Sequence, residues 1–387
     1  MKNTFWSNPS KKKYPSVSEN IQCRYLIVGG GIGGVTLAYF LLERGATDIV
    51  LLERNEIGGG ATGHSAGMLV TEIEGDTLKS LSEKIGQEKA NTYWKVQENS
   101  LQDIHRIVER EHIDCDMEPE RLYIFGRGES GEEEISNDIE LRHRMHLFSK
   151  SYIGEKVFKE IHTEYYDSAE EVYSGISVNP LKLVQGIADI VSQKGVRVFE
   201  HSEVKERNEK NVFVNGYNIS FDTVIYAKDA YTESDEMLRY KTTCAVTESL
   251  SDDVLQSLNL MEHKMYIENF VSSYHYMKVT KENRLLIGYG DRQVHDVPNE
   301  IPLLESHLLN IQKYLRKVFP DINIQIEYAW TGIYGLHKEV LPLVRRVENG
   351  YVFGGAGTQV ATVAISKLIA DLVVGNDNEL KHVFEIL

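Results

Sequence analysis

The sequence predicts an α/β fold: a Rossmann-type domain built on a parallel sheet, joined to a discontinuous α+β domain with an antiparallel sheet. Three observations predict it. The glycine-rich turn Gly29-Gly30-Gly31-Ile32-Gly33-Gly34 stands between two continuous apolar runs. A further apolar run, a glycine cluster and a helical pattern occupy residues 351–374. Between these ends lie stretches whose apolar residues alternate, as in half-buried antiparallel strands.

Residues 1–22 are polar, with Pro9 and Pro15, and read as an extended arm that packs on the surface or frays. Tyr25-Leu26-Ile27-Val28 is a strand of the buried parallel kind. Residues 32–44 then read as a helix closed by Gly45, and Ile49-Val50-Leu51-Leu52 is a second buried strand ending at Glu53. Residues 78–111 carry apolar side chains three and four apart between charges, which predicts helix. Residues 121–125 read as a strand and 130–134 as an acidic, glycine-bearing turn. A helix at 181–194 precedes short strands at 196–199 and 212–214 and a buried strand at 222–227. Residues 274–279 alternate and pair with 285–287. A helix at 303–318 stops at Pro320, 351–353 is the last buried strand, and 360–374 is a helix ending at Gly375. This order implies an arm (1–22), a first domain assembled from 23–95, 170–240 and 326–387, and a second from 96–169 and 241–325.

The 387 residues carry 42 basic against 58 acidic side chains, a net charge of −16, which argues against nucleic acid or an anionic membrane as partner. Cys23, Cys115 and Cys244 lie far apart without a Cys-x-x-Cys, excluding a zinc ribbon, an iron–sulfur run or a disulfide scaffold and fitting a reducing compartment. Residues 25–42 are long enough on paper to span a bilayer, but five glycines break them into strand, turn and helix. With no apolar leader segment, a cytoplasmic protein is expected.

The glycine turn satisfies G-x-G-x-x-G in its full strand–turn–helix–strand context. Gly29 permits the turn, Gly31 admits a pyrophosphate to the backbone, and Gly34 lets helix and sheet pack closely. Ile32 and Gly33 open a helix whose free N–H groups and positive dipole end suit phosphates. Glu53 stands where an acid binds ribose hydroxyls, and its charge disfavours a 2′-phosphate. An ADP moiety is expected here; NAD and FAD both contain one.

The following loop, residues 57–68, is small and hydroxyl-bearing, suited to wrapping a longer cofactor. Glu53, Arg54, Gly58, Gly60, Ala61, Thr62 and Gly63 match the pattern Glu-basic-x-x-x-Gly-x-Gly-Ala-Ser/Thr-Gly. Through them the chain resembles the FAD-dependent oxidoreductases of the D-amino-acid oxidase type, which include glycine and sarcosine oxidases and γ-glutamylputrescine oxidoreductase. Phe5-Trp6 with Tyr14-Pro15, Trp330-Thr331-Gly332, Leu341-Pro342-Leu343 and Gly354-Gly355-Ala356-Gly357-Thr358 are similar to that family's arm and closing segments. Val204 and Ala227 also fit, whereas Lys228-Asp229 depart from the usual Thr-Gly/Asn, and Glu339-Val340 stand where an acid usually precedes Leu-Pro. The resemblance implies an FAD-binding Rossmann-type domain and oxidation of a C–N bond of a small amine or amino acid to an imine, with dioxygen or another acceptor taking the electrons. It implies that Gly29, Gly31, Gly34, Glu53 and Arg54 hold the ADP half. By the same resemblance Gly60, Ala61, Thr62, Gly63, His64 and Ser65 line the flavin, and Gly355, Gly357 and Thr358 face its pyrimidine edge.

Alternation puts Tyr274, Tyr276 and Lys278 on one strand face and His275 and Met277 on the other. Relatives carry arginine at the place of Lys278, which implies a lysine holding a substrate carboxylate; a solvated lysine on an outer strand is the plainer reading. His64 is in similar register to the histidine that carries covalent flavin in dimethylglycine and sarcosine dehydrogenases, and packing beside a noncovalent flavin is the other reading. A cysteine-linked flavin is excluded because no cysteine follows Cys244. Arg142, His143, Arg144 and His146 read as a solvated, salt-bridged helix face, and Asp103, His105, His112, Asp114 and Asp116 as exposed helix-end residues. A nicotinamide-linked dehydrogenase and a flavin-binding subunit without amine oxidase activity stay open at this point.

Overall fold

The computed structural model describes residues 4–6, 12–72, 77–261, 264–268, 275–295 and 303–384. The chain begins with β1 (Ile21–Val28), α1 (Ile32–Glu43), β2 (Ile49–Leu52), α2 (Ala61–His64) and β3 (Met68–Val70). Next come α3 (Leu78–Ile85), α4 (Gln87–Glu111), β4 (Glu118–Gly126), α5 (Gly128–Arg144), β5 (Lys150–Ile153), α6 (Glu155–Glu160) and β6 (Ser168–Ser177). α7 (Pro180–Gln193) leads into β7 (Arg197–Phe199), β8 (Val204–Arg207), β9 (Asn211–Val214) and β10 (Tyr217–Tyr226). Then follow β11 (Met237–Thr247), α8 (Asp252–Ser257), β12 (Lys264–Glu268), β13 (His275–Val279), β14 (Leu285–Val294), α9 (Glu305–Val318) and β15 (Ile326–His337). β16 (Leu343–Val347), β17 (Gly350–Gly354), α10 (Gln359–Val374) and α11 (Leu380–Val383) complete the described fold.

Two sheets organise these elements. The first has the order β16-β17-β10-β1-β2-β7, with β9 and β8 added beside β10, and its centre is parallel. The second runs β15-β11-β14-β13-β12-β4-β6-β3, with β5 beside β6, and is antiparallel except for β12 against β4. The apolar strand runs read from the sequence are the buried centre of the first sheet: Leu26, Ile27, Val50, Leu51 and Ile225 have essentially no exposed surface. One face of that sheet packs on α1, α4, α7 and α10, and the other holds Val17 of the arm with β9. The outer side of the second sheet is covered by α6, α8 and α9 through Met277, Leu255, Tyr314 and Leu315.

The structure corrects several expectations. Of the arm, the described residues pack against the protein more deeply than a surface arm would, with Trp6, Tyr14 and Val17 buried. Residues 130–134 belong to α5, not to a turn. The buried positions of α5 are Gly131, Ile135, Asp138, Leu141 and Arg142, so only two of the five carry an apolar side chain, two are charged, and the apolar periodicity that announces a helix is broken. Arg142 is buried rather than solvated, ion-paired with Asp138, Glu170 and Glu72 and set 4.7 Å from the Trp94 ring centroid. Asp103 is also buried, paired at 2.6 Å with Lys367 of α10. The helical stretch 78–111 is two helices, divided at Gly86. Strands β3 and β15 and residues 170–177 of β6, which lie in segments read from the sequence as the first domain, hydrogen-bond into the second sheet. Among the described residues no helix is long and apolar enough to cross a membrane, and Cys23, Cys115 and Cys244 are buried and form no disulfide.

Candidate active site

A single cavity of about 770 Å³ runs from the glycine turn after β1 to the inner face of the second sheet. That volume lies within the ~300–1,000 Å³ usual for cofactor and ligand sites. Gly29, Gly31, Ile32, Gly33, Glu53, Arg54, Gly60, Ala61, Thr62, His64, Ser65, Val204, Ala227, Tyr276, Gly357 and Thr358 all line it. Gly34, Gly63, Gly355 and Lys278 stand behind the wall, and Tyr274 lies outside the described residues.

At the nucleotide end the turn is as tight as the motif implies. Gly29 has φ +121°, and a β-carbon there would overlap the Ala227 carbonyl of β10's end; one on Gly34 would overlap the carbonyl oxygen of Gly29. α1 starts at Gly31 with no side-chain cap, so its first turn presents backbone donors to the cavity. Thr62 Oγ1 accepts the Ile32 N–H at 3.0 Å, which leaves the hydroxyl proton to donate elsewhere. Glu53 accepts the Gly30 N–H and the Asn55 N–H, each at 2.8 Å, one through each oxygen. Burial pushes its carboxyl above the ordinary range, and those two N–H donors oppose the shift. The Arg54 guanidinium lies 3.7 Å from the centroid of the Tyr231 ring.

A second helix N-terminus faces the same space. Thr358 caps α10 by accepting the Ala361 N–H at 3.2 Å, and Thr358, Gln359 and Thr362 line the cavity. α1 and α10 pack closely, with the Ser366 hydroxyl donating to Gly33 O at 3.0 Å. Two positive dipole ends thus converge where phosphates and a negatively charged ring would be stabilised. Asp229, one of the departures from the family pattern, adopts φ 47° and accepts the N–H groups of Gly335 and Gly355, both at 2.9 Å. It ties the glycine loop before α10 to β15. The signal was available in principle, because Asp shares with Asn a tolerance of left-handed backbone.

The loop 64–67 is held by side chains from four distant segments. Trp330 Nε1 donates to His64 O and Trp6 Nε1 to Ser65 O, each at 2.8 Å. Gln359 Nε2 donates to Ser65 Oγ at 2.7 Å, and Lys278 Nζ to Gly67 O at 2.9 Å. His64 itself donates from Nδ1 to Gly60 O at 2.9 Å, and burial lowers its pKa, so the neutral ring is favoured with Nε2 as its remaining nitrogen. No local pattern announces Trp6 or Gln359 as members of this site. Trp6→Phe, which keeps a ring and removes the N–H, should weaken cofactor binding about two- to tenfold, the effect of one lost hydrogen bond to a buried carbonyl. Titration of apoprotein checks it; unchanged affinity would make the arm mere packing.

Lys278 corrects a sequence expectation. Its ammonium donates to Gly67 O, Ser177 Oγ at 2.6 Å and Val178 O at 3.4 Å, and it sits 5.4 Å from the Trp6 ring centroid. Three protein oxygens take its three donors, so none is directed at a substrate carboxylate. Burial lowers its pKa. The alternation itself is as expected: Tyr276 faces the cavity, with its ring lying across Gly288 on β14, while Met277 packs into the core on the far side and His275 stacks on Tyr314.

Uncapped donors at α1, a glycine cradle, the Glu53 carboxylate and a second helix N-terminus fit an ADP-bearing cofactor with a further ring system. Comparison with known proteins agrees. The model of the family described as FAD dependent oxidoreductase matches residues 24–372. The γ-glutamylputrescine oxidoreductase of Escherichia coli (strain K12) is 27% identical, over 94% of this chain and 86% of that protein. Glycine oxidase from Geobacillus kaustophilus has a similar structure, with a TM-score of 0.79 at 17% identity, covering 93% of this chain and 96% of that one. L-proline dehydrogenase from P. horikoshii gives 0.77 at 18% identity with 93% and 96% covered. With nearly its whole length inside the family model, the chain belongs to the FAD dependent oxidoreductases, and its cofactor is FAD.

Proposed function

We propose that this protein oxidises a C–N bond of a small amine to an imine. The observation that carries this reading is the continuity of the cavity, whose wall includes Glu53 at the end of β2, His64, and then Tyr276, Met68 and Val70 of the second sheet. A cofactor seated from the glycine turn onward would present its ring to that face. Similarity to an amine oxidoreductase over most of both chains supports amine over other substrates.

FAD, when bound, would supply a hydride acceptor: the C–H bond beside nitrogen would break with its electron pair leaving as hydride, the nitrogen lone pair would close the C=N bond, and the iminium so formed would release a proton to water to give the imine. The chain's residues orient and enclose. Glu53 accepts ribose hydroxyls through the lone pairs that Gly30 and Asn55 leave free, and Arg54 closes over that end. The N-termini of α1 and α10, with Thr62 and Thr358, receive the negative charge of the pyrophosphate and of the pyrimidine edge. His64 and Ser65 border the ring, and Gly63, Gly34 and Gly355 hold the turns that place them. Tyr276 forms one wall for the substrate carbon. Lys278 acts through Gly67 and Val178, holding the ring-side loop instead of touching substrate. The segments that build the parallel-centred sheet form the cofactor-binding part, and those of the antiparallel sheet the substrate-binding part. Water hydrolyses the imine, and dioxygen or another acceptor takes the electrons.

Purified protein should show flavin absorbance that bleaches when a small amine is added without oxygen. Acid precipitation should leave the flavin in the supernatant; colour in the pellet that His64→Ala abolishes would instead make His64 an attachment site. A yellow protein that no amine bleaches would sink the reading and leave a flavin-binding subunit.

A further inference from the structure

The substrate half of the cavity is lined by the apolar Met68, Val70 and Ile267 and carries two carboxylates, Glu72 just after β3 and Asp291 on β14. Glu72 is 8% exposed, and its Oε1 lies 3.3 Å from an Arg142 nitrogen. Its Oε2 is buried with no hydrogen-bond partner, as is Oδ2 of Asp291. Arg142 cannot neutralise Glu72 alone. The same guanidinium lies 2.6 Å from Asp138 and 3.0 Å from Glu170, so one cation serves three buried carboxylates. Burial raises the carboxyls of Glu72 and Asp291 above their ordinary range, and Arg142 opposes the shift at Glu72.

The arginine and lysine side chains on the cavity wall are gathered elsewhere, around the 228–232 turn. Arg54 lies over Tyr231, Lys228 pairs with Glu233 at 3.6 Å, and Arg239 donates to the carbonyls of Ala230 at 2.9 Å and Thr232 at 3.1 Å. Lys278, the lysine nearest in sequence to Tyr276, is consumed by Gly67, Ser177 and Val178. Among the described residues lining this half, a substrate carboxylate would meet two carboxylates and no lysine or arginine. A second ammonium would meet an unsatisfied oxygen.

We propose that the substrate is an amine bearing a second, distal positive charge and no carboxylate, with Glu72 receiving the distal ammonium across an apolar spacer. This rests on the reading of the second-sheet half as the substrate side. The reacting nitrogen must be neutral to release hydride, while the distal one stays protonated beside Glu72. The two ends of a diamine therefore have different roles, and a carboxylate-bearing amino acid is selected against.

The test mixes FAD-loaded protein anaerobically with diaminobutane, butylamine and N-methylglycine, following flavin bleaching, and reads the melting temperature of the oxidised holoenzyme with each compound. Diaminobutane should half-saturate at least about tenfold below butylamine, as one charge-assisted hydrogen bond provides. Glu72→Gln should bring the two together, and N-methylglycine should be weakest throughout. Equal half-saturation by the two amines in the wild type, or a diamine preference that Glu72→Gln leaves intact, overturns the proposal. The wild-type comparison decides by itself should the variant not fold. If no compound bleaches the flavin, amine oxidation fails as the function, and the melting shift still decides: stabilisation by diaminobutane beyond butylamine supports the cation site, and equal shifts refute it.

Discussion

Gly34→Ala should yield a chain that purifies without flavin and takes up added FAD only weakly. The β-carbon would overlap the carbonyl oxygen of Gly29, which is backbone and cannot swing aside as a side chain would. Either α1 lifts from β1 or the 29–31 turn opens, and both displace the donors that face the pyrophosphate. Overpacking costs about 1–3 kcal/mol. Falling on the complex alone, that is a drop in FAD affinity of about 5-fold to 150-fold. Quenching of flavin fluorescence on titrating apoprotein measures it. Affinity equal to the wild type would show that the turn does not hold the cofactor.

Arg142→Met should cost about 3–5 kcal/mol in urea unfolding, the penalty for stranding buried charge. The methionine fills similar volume and can rest on Trp94, so the loss reports charge and not a cavity. A loss below about 1 kcal/mol would mean that the three carboxylates already hold enough protons to need no cation. The same cluster sets a pH dependence. Burial raises Glu170 from the ordinary 4.5 to about 8, and Glu72 shifts the same way. A carboxyl whose folded pKa stands above its unfolded one binds more protons in the native state. Its contribution is therefore fully present below the unfolded value and is lost as pH rises through the folded one. Stability from this cluster should decline between about pH 4.5 and pH 8, by at most about 1.4 kcal/mol per pH unit for each proton. Glu170→Gln, which never ionises, should flatten the curve of melting temperature against pH; an unchanged slope would place the titration elsewhere.

Arg142 also shows where sequence reading stops. A charged knot on a predicted helix is ordinarily solvated, and nothing within residues 128–144 says that Glu72 and Glu170 will arrive from other strands to pair with it. Residues 130–134 of α5 read as a turn for a related reason, since a helix with Asp138 and Arg142 among its buried positions has a broken apolar stripe. Lys278 was placed on the correct face by alternation, but its partners belong to Gly67 and the end of β6, and only their arrival shows that its donors are used up.

The β1–α1–β2 unit, the acid at Glu53, the glycine-bearing start of α10 and the resemblance to a flavin family are legible in the residues alone. Each is written in residues a few positions apart, where glycine spacing, apolar runs and helix capping act through local backbone geometry. That Trp6, Lys278, Trp330 and Gln359 hold one loop, that Asp229 ties down the second glycine turn, and that Glu72 lines the cavity emerge only from the packed fold. Periodicity encodes which face of an element is buried, not which distant element covers it. Hydrogen bonding and charge pairing are satisfied by whatever group the fold brings within about 3 Å, and that partner is set by the packing of the two sheets.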